Sequence, residues 1–177
     1  MAESVTLGSD LAVSAFVYNA TGSRDTNYSG MELITYHLDT RRTYIKWDLS
    51  SLVGYDIISA RIYYKSGPYE GAGVNHFRVT SDWDYDTITW NNQPSFSGVS
   101  MGATPDWVHT NTWYDCLLDP DEFELMVATN YGMCGKGTIA DISTGYGPLY
   151  LVEAYRPYIE VTYGALSGAG QVVIWGE

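Results

Sequence analysis

The sequence predicts an all-β protein, an antiparallel and jelly-roll-like β-sandwich with one short helix and an extra C-terminal strand. Stretches in which apolar and polar residues alternate with a period of two are typical of strands with one buried face. Gly, Pro and Asn residues separate these stretches and supply the turns of a sandwich. The composition agrees, since 18 glycines and 16 tyrosines among 177 residues favour short strands over long helices.

Two segments show the alternation most clearly. In residues 43–48, Ile45 and Trp47 point to one side, and the residues between and after them, Tyr44, Lys46 and Asp48, point to the other. In the second segment the residues of one side are Ile58, Ala60, Ile62 and Tyr64, and those of the other side are Arg61, Tyr63 and Lys65. We therefore expect two strands of an antiparallel sheet, each with one buried face.

Other strand candidates lie between turn signals along the chain. They are residues 11–17, 33–35, 74–80, 87–90, 113–118, 136–141, 149–152 and 158–163. One helix is predicted from Pro120 to Ala128, because Asp119 can cap its first turn and proline suits the first helical position. We expect this helix to cross one end of the sandwich.

The chain divides into three predicted parts. They are a β-sandwich domain over residues 1–164, a flexible linker of small residues over 165–170, and a C-terminal strand over 171–177. A finished sandwich does not need this last apolar strand. It can add to the sheet edge of a neighbouring subunit or fold back onto its own domain. The residues expected to fill pockets there are Val172, Val173, Ile174 and Trp175.

The order of four short segments resembles a known family. The segments are Arg42 with Lys46–Leu49, then Ser59–Arg61, then the tryptophan-rich stretch Trp83–Pro94, and finally Arg156–Tyr163. In this order they resemble the DNRLRE-type β-sandwich modules, which are close to a class of carbohydrate-binding modules and occur in large bacterial, archaeal and phage surface proteins. The resemblance covers residues 3–163 and implies a noncatalytic module for binding or display.

Aromatic side chains are the expected basis of glycan binding, because the apolar CH faces of sugars stack on flat rings. The predicted glycan-binding residues are Tyr69, Tyr146, Trp107 and Tyr85. Of these, Tyr69 and Tyr146 are favoured because they lie in glycine-rich loops. The tryptophans of the family pattern are expected to fill the core instead, and they are Trp47, Trp83 and Trp90.

The acidic residues and the cysteines are the candidate metal ligands of the chain, and they offer one possible site, for Ca²⁺. Asp82, Asp84 and Asp86 would share one face of an extended chain, where their oxygens could hold Ca²⁺ or could remain a solvated strand edge. The two cysteines, Cys116 and Cys134, have no zinc-ligand spacing and are either a disulfide or two buried thiols. No cofactor is required for folding at this chain length.

The charge and hydropathy of the chain argue against two classes of partner, nucleic acids and membranes. A net charge of −12 with nine basic residues argues against nucleic acid as a partner. No apolar stretch is long enough to insert into a membrane, and the first residues do not resemble a secretory signal. We expect the protein on a virion surface or outside the cell.

Two functions remain open from the sequence. The first is a noncatalytic structural or display subunit of a virion, as capsid decoration, tail or fibre, or of an extracellular array, which assembles with itself or with another structural protein through sheet edges and the C-terminal strand. The alternative is a carbohydrate-binding module that recognises a cell-surface or matrix polysaccharide. No pattern of nucleophile and base indicates an enzyme.

Overall fold

The computed structural model of the protein describes residues 2–8, 12–29, 32–36, 40–67, 71, 73–138, 142–146 and 153–166. In chain order the strands are β1 (Glu3–Leu7), β2 (Ala12–Tyr18), β3 (Tyr28–Ser29), β4 (Glu32–Tyr36), β5 (Arg41–Trp47), β6 (Tyr55–Lys65), β7 (Val74–Val79), β8 (Phe96–Ala103), β9 (Trp113–Leu118), β10 (Met133–Gly137), β11 (Ile142–Tyr146) and β12 (Tyr158–Leu166). One helix, α1 (Pro120–Thr129), follows β9.

The strands form two antiparallel sheets, so the prediction of an all-β sandwich is confirmed. A four-stranded sheet has the order β1-β12-β6-β9. An eight-stranded sheet has the order β11-β4-β5-β10-β7-β8, with β2 paired to β5 and β3 paired to β2. The two sheets enclose one large apolar core, to which Trp47, Ile62 and Trp107 contribute fully buried side chains.

The strands β5 and β6 belong to different sheets, which corrects the expectation that they share one. Strand β5 pairs with β2 and β10, whereas β6 pairs with β12 and β9. Ile45 and Trp47 of β5 therefore face Ile62 of β6 across the core rather than along one sheet. The alternation places Ile45, Trp47 and Ile62 correctly in the core between the sheets, but it carries no information about which strands pair.

The alternation of β6 fails at Ile58. The pairing of β6 with β12 shifts register between Thr162 and Tyr163, since Ser59 lies opposite Thr162 and Ile57 lies opposite Tyr163. This irregularity adds one residue to β6, so Ile57 is buried and Ile58 is 54% exposed. The prediction that Ile58 points into the core is therefore wrong, because a bulge reverses the side of every residue beyond it.

The helix α1 forms as predicted and ends one residue later. The carboxylate of Asp119 accepts the backbone N–H of Glu122 at 3.0 Å, and Pro120 occupies the first turn. Asn130 ends the helix in the left-handed conformation, with φ 54°. The buried side chains of α1 are Phe123, Met126 and Val127. The helix contacts β6 of one sheet and β7 of the other, so it spans both layers of the sandwich.

The remaining strand predictions vary in accuracy. Residues 113–118 match β9, and residues 11–17, 33–35, 74–80 and 158–163 match β2, β4, β7 and β12 within a few residues. Residues 87–90 form turn and loop instead of a strand. Of the segment 136–141, residues 136–137 belong to β10, and residues 139–141 lie outside the described residues, as do 149–152. The alternation and turn signals of the sequence do not predict strands β1, β3, β8 and β11.

Strand β8 escapes prediction because it lacks the alternation of a half-buried strand. Its sequence is FSGVSMGA, and only Met101 is fully buried in it. Gly102 is required at its end, where φ is 142° and a Cβ atom would lie 2.5 Å from the carbonyl oxygen of Leu117 in β9. The backbones of the two sheets therefore approach closely along this edge.

Both cysteines are buried, and they form no disulfide with each other. Cys116 lies on β9 of the four-stranded sheet, and Cys134 lies on β10 of the eight-stranded sheet. Of the two alternatives for this pair, separate thiols are therefore what the structure contains.

The last described strand runs further than the sequence predicts. Ala165 and Leu166, assigned to the linker, belong to β12, and Leu166 pairs with Tyr55. Residues 167–177 lie outside the described residues, so the rest of the predicted linker and the strand with Val172, Val173, Ile174 and Trp175 stay predictions. None of the helices within the described ranges has the length and apolar character needed to cross a membrane.

Candidate functional site

The connection between β7 and β8, residues 80–95 and named the strap, carries the tryptophan-rich motif. It lies on the outer face of the eight-stranded sheet, where it closes a second, smaller core. The buried members of this core are Ala15, Val17, Tyr44, Val79, Ile88 and Cys134, and Trp83, Trp90, Phe96 and Tyr131 pack against it. Both faces of β5 are consequently covered, which corrects the prediction that Tyr44 points to solvent.

Polar side chains of β5 hold the strap in place. Gln93 Oε1 accepts one hydrogen bond from Arg42 Nη1 and one from the Tyr44 hydroxyl, each at 2.9 Å. The Arg42 guanidinium also lies 4.8 Å from the ring centroid of Trp90. Burial raises the pKa of Tyr44 well above its usual range, so its hydroxyl remains a donor. These contacts give the motif residues a structural role.

The three aspartates of the strap do not gather as the calcium hypothesis requires. The chain turns at Tyr85–Thr87 instead of running extended, and the Asp84 carboxylate accepts the backbone N–H of Asp86 at 3.0 Å. Asp82 accepts a hydrogen bond from Lys46 Nζ at 2.8 Å, and this bond lowers the pKa of Asp82. Within the described ranges, no three acidic, histidine or cysteine side chains are arranged to hold a metal ion.

Trp107, a predicted glycan-binding residue, lies in the core between the sheets, and this prediction is corrected. It is 2% exposed, and its indole N–H donates to Thr104 Oγ1 at 3.1 Å. Its ring stacks on Tyr114 with the centroids 5.8 Å apart. A ring enclosed in this way has no open face on which a sugar can stack.

Of the other predicted glycan-binding residues, one lies on the strap, and the side chains of the other two lie outside the described residues. Tyr85 is half-buried on the strap, where its carbonyl oxygen accepts a hydrogen bond from Asn27 Nδ2 at 2.8 Å. Tyr69 lies outside the described residues, and Tyr146 ends β11 with a side chain that also lies outside them. Tyr85 and Trp107 therefore do not form one site, since one is on the strap and the other is between the sheets.

Aromatic residues collect instead on the outer face of the four-stranded sheet. Every second residue of β6, β9 and β12 points outward there, and the strand register places these residues in rows. The first row pairs Lys65 with Trp113. The second row places Tyr63 between Asp115 and Tyr158. Neighbours in a row are close enough for their side chains to touch.

Four aromatic side chains at this end of the sheet form a cluster, named the aromatic platform, which comprises Tyr63, Trp113, Tyr155 and Tyr158. The rings of Tyr63 and Tyr158 stack with centroids 4.5 Å apart and planes 11° apart. Trp113 meets Tyr158 edge-on at 5.4 Å, and Lys65 Nζ lies 3.6 Å from the ring centroid of Tyr155. Trp113 is 39% exposed, so part of its indole is open to solvent.

Charged residues adjoin the aromatic platform. Arg61 forms an ion pair with Asp115, and the side chains of both residues are 42% exposed. The hydroxyl of Tyr63 donates to Glu160 Oε2 at 2.8 Å. Partial burial and this hydrogen bond raise the pKa of Tyr63 to about 12, so the phenol is neutral at physiological pH. Burial and the charge of Glu160 raise the pKa of Tyr158 as well.

Hydroxyl groups continue the face away from the platform. A third row crosses the sheet through Arg61, Glu160 and the apolar Leu117, which is 57% exposed, and a fourth row contains Ser59, Thr162 and Ser4. The Oγ of Ser4 and the Oγ1 of Thr162 lie 3.2 Å apart. The face thus changes from aromatic through charged to hydroxyl-bearing along the direction of the strands.

Loops meet at the aromatic end of the face. The connections that follow β6 and precede β9 are joined, since Ser66 Oγ donates to the carbonyl oxygen of His109 at 2.7 Å. Gly71 and Trp107 link the same two connections by a backbone bridge. A short 3-10 turn, Glu153–Tyr155, brings Tyr155 over Lys65. A rigid sheet end framed by loops is a frequent location of binding sites.

A comparison with models of known protein families identifies the family of the chain. The model of carbohydrate-binding module family 96 matches residues 10–119, which is more than half of the 177 residues. The chain belongs to this family. No curated protein matches the chain.

The family match spans the strap and half of the aromatic platform. It includes Tyr63 on β6 and Trp113 on β9, whereas Tyr155 and Tyr158 follow its last residue. In a carbohydrate-binding module, an open aromatic ring beside carboxylate and guanidinium groups combines an apolar stacking surface with partners for sugar hydroxyls. The outer face of the four-stranded sheet has both features.

The sequence does not predict the aromatic platform. The glycan-binding residues expected from the sequence include none of its four members. The signal that could have found Tyr158 is its position on the polar side of its strand, in alternation with Glu160 and Thr162. An aromatic residue among outward-pointing polar residues gains no core contact, so it indicates a surface role.

Proposed function

We propose that this module binds polysaccharide without cleaving it, and that the ligand rests on the aromatic platform and the charged residues next to it. The observation that carries the proposal is the partly exposed indole of Trp113, which meets Tyr158 edge-on in a cluster of rings, in a chain of a carbohydrate-binding family. A sugar ring that covers this indole removes apolar area from water, which favours binding. The narrower resemblance to DNRLRE-type modules stays a prediction.

The polar groups of the face would orient the ligand. Asp115 and Glu160 can accept hydrogen bonds from sugar hydroxyls, and Arg61 can donate them. Each of these groups is already held by a protein partner, Asp115 by Arg61 and Glu160 by the hydroxyl of Tyr63. Groups fixed in this way lose little freedom on binding, which supports affinity.

The same contacts support a role without catalysis. Glycoside cleavage uses two carboxyl groups on either side of the scissile bond, one of which is kept protonated as the acid. Asp115 is engaged by a guanidinium, and Glu160 by a phenol. This arrangement fits two hydrogen-bond acceptors rather than an acid and a base.

The family match favours carbohydrate binding over the structural or display subunit. The assembly hypothesis depends on Val172, Val173, Ile174 and Trp175, which lie outside the described residues. The described contacts offer no separate support for a virion role. Self-assembly through the C-terminal strand therefore stays a prediction, and glycan binding is the function proposed.

The test is a binding assay with the variant Trp113→Ala. Affinity electrophoresis in gels that contain soluble polysaccharides identifies a ligand, and calorimetry then measures the dissociation constant. We expect Trp113→Ala to weaken binding about tenfold or more, because loss of a stacked ring costs roughly 1–2 kcal/mol. The melting temperature should fall by only a few degrees, since this indole lies outside the core and part of it is already open to solvent.

The matched control is Tyr85→Ala, which removes a half-buried aromatic residue from the strap on the other sheet. Binding should be unaffected by this change. If Tyr85→Ala abolished binding and Trp113→Ala did not, the assignment of the site to the four-stranded sheet would be wrong. If no polysaccharide in a broad set bound to the unmodified protein, the proposed function itself would be rejected.

A further inference from the structure

We propose that Ser66, the buried residue directly after β6, is a positioning residue for the aromatic platform. It fixes the turn over residues 109–112 and thereby sets the direction in which the Trp113 indole leaves β9. This inference rests on the proposed function. It adds a residue on which the affinity of the site depends, although the ligand does not touch it.

The side chain of Ser66 is enclosed by the protein. Its exposed fraction is 1%, whereas the preceding residue, Lys65, points outward and places its Nζ 3.6 Å from the ring centroid of Tyr155. Successive residues of an extended chain point to opposite sides, so one step along the chain leads from the outer face to the interior. A sugar on the outer face cannot contact the Ser66 hydroxyl. Any influence of this hydroxyl on binding must therefore pass through its neighbours.

The neighbours of Ser66 are the residues of the turn. Its hydroxyl donates to the carbonyl oxygen of His109 at 2.7 Å and accepts the backbone N–H of Thr112 at 3.0 Å. Its backbone N–H donates to the carbonyl oxygen of Thr112 at 2.9 Å, and its carbonyl oxygen accepts the N–H of Asn111 at 3.1 Å. One residue thus holds both ends of the turn, and Trp113 follows the turn directly.

The turn is also held from its other side. Asn111 has a φ of 53°, a left-handed conformation that costs energy in residues other than glycine and persists where surrounding contacts fix it. The Tyr114 hydroxyl accepts the backbone N–H of His109 at 2.9 Å, and the Tyr114 ring stacks on the buried Trp107. The turn is therefore clamped between the end of β6 and the core.

The orientation of Trp113 depends on this clamp. Trp113 lies opposite Lys65 in the row where the pairing of β6 with β9 ends, so the contacts of Thr112 determine where its backbone begins. Ser66→Ala removes the hydroxyl acceptor of the Thr112 N–H, and an amide that loses its acceptor shifts toward water or another acceptor. The shift changes the edge-on contact of the indole with Tyr158. Affinity falls when a binding group loses its preorganised position.

The first measurement follows Trp113 without a ligand. The protein is labelled with 5-fluorotryptophan, and the fluorine resonance of Trp113 is assigned from its absence in Trp113→Phe. Ser66→Ala should shift or broaden this resonance and leave those of Trp47 and Trp83 unchanged, since both lie far from the turn in the sandwich core and under the strap. An unchanged Trp113 resonance would overturn the proposal.

The second measurement is affinity for soluble polysaccharides. The probes are hydroxyethyl cellulose, galactomannan, xylan, polygalacturonate and alginate, which include neutral and acidic chains, and calorimetry is carried out with the one that binds best. Ser66→Ala should weaken binding by about three- to tenfold. The matched control, Ser14→Ala, removes a fully buried hydroxyl from β2 of the other sheet and should leave affinity unchanged. Full affinity of Ser66→Ala would contradict the positioning role.

A double variant separates positioning from direct contact. In the Trp113→Ala background, Ser66→Ala should cause no further loss of affinity, because its effect passes through the indole. Additive losses would show that the turn acts on the ligand by itself, and the assignment to Trp113 would then be wrong.

Tyr114→Phe provides a second route to the same turn if Ser66→Ala does not fold. It keeps the ring that stacks on Trp107 and removes the hydroxyl that holds His109. It should shift the Trp113 resonance and weaken binding in the same way, and an unchanged resonance with unchanged affinity would overturn the proposal. If none of the five polysaccharides bound the unmodified protein, the proposed function would be rejected together with this inference. Binding that is insensitive to both variants would reject this inference alone.

Discussion

The outer faces of the two sheets carry similar residues, but one face is covered and the other is open to solvent. Each face combines tryptophan, tyrosine and a cation over a ring, with Arg42 over Trp90 on the eight-stranded sheet and Lys65 over Tyr155 on the four-stranded sheet. On the first face the strap covers the strands and closes a second core. On the second face Trp113 remains 39% exposed. Aromatic content alone therefore does not identify a binding surface. The two faces differ in whether a distant segment covers the rings.

The largest expected effect is on stability and tests whether the two faces differ. Trp83 packs against the second core, and its indole N–H donates to the carbonyl oxygen of Tyr131 at 2.7 Å. Trp83→Ala should lower the free energy of unfolding by about 3 kcal/mol, because it opens a cavity under the strap. Trp113→Ala should lower it by less, about 1 kcal/mol, because the indole lies outside the core and is 39% exposed.

Urea denaturation followed by circular dichroism measures both variants under the same conditions. Equal losses in the two variants would contradict the contrast between a covered and an open face. Trp83→Ala should also bind polysaccharide with unchanged affinity at a temperature where it is still folded. This result would assign a structural role to the covered face and binding to the open face.

The second prediction concerns the core that both faces share. His76 is fully buried, with Nδ1 3.1 Å from the carbonyl oxygen of Gly102 and Nε2 3.0 Å from the Tyr64 hydroxyl. A carbonyl oxygen only accepts, so Nδ1 carries the proton and Nε2 accepts from Tyr64. Burial lowers the pKa of His76 from 6.5 to about 4. The nearby Cys116 thiol has its pKa raised to about 11 by burial, so it offers no compensating charge.

The lowered pKa of His76 determines how the stability of the protein changes with pH. The folded state binds a proton at His76 less tightly than the unfolded state does, so unfolding takes up a proton as the pH falls. Stability is full above about pH 6.5 and is lost as the pH falls toward 4, by on the order of 3 kcal/mol in total. His76→Gln should flatten this dependence, even if it lowers stability at neutral pH.

Urea titrations at a series of pH values measure the slope for the protein and for His76→Gln. Identical slopes would show that other groups cause the acid sensitivity. The phenol of Tyr63 does not titrate over this range, because its pKa lies near 12.

The sequence predicts local structure better than it predicts the site. The helix α1 and strand β9 follow from features within a few residues, such as the Asp119 cap and strict alternation. The partners of β5 and the bulge at Ile58 depend on pairing with residues far away in the chain. Trp107 and Trp113 are only six residues apart, yet one is enclosed and the other is open. Local sequence cannot distinguish them, because exposure depends on which remote segments cover each side.

The smallest expected effect comes from two ion pairs, one on each face. Lys46 pairs with Asp82 beside the strap, and Arg61 pairs with Asp115 beside the aromatic platform. Both pairs contain a solvent-exposed carboxylate, 70% exposed for Asp82 and 42% for Asp115, so each contributes at most about 1 kcal/mol to stability. Asp82→Asn and Asp115→Asn keep the shape of the side chain and remove its charge.

The two substitutions should separate stability from binding. Asp82→Asn is expected to lower the free energy of unfolding slightly and to leave polysaccharide affinity unchanged, because its partner Lys46 holds the strap. Asp115→Asn is expected to weaken binding severalfold at a similar small cost in stability, since it loses a charged acceptor for sugar hydroxyls and releases Arg61. Calorimetry and urea denaturation on the same samples compare the two. If Asp115→Asn bound like the unmodified protein, the charged residues would be structural on both faces, and only the rings would distinguish the open sheet from the covered one.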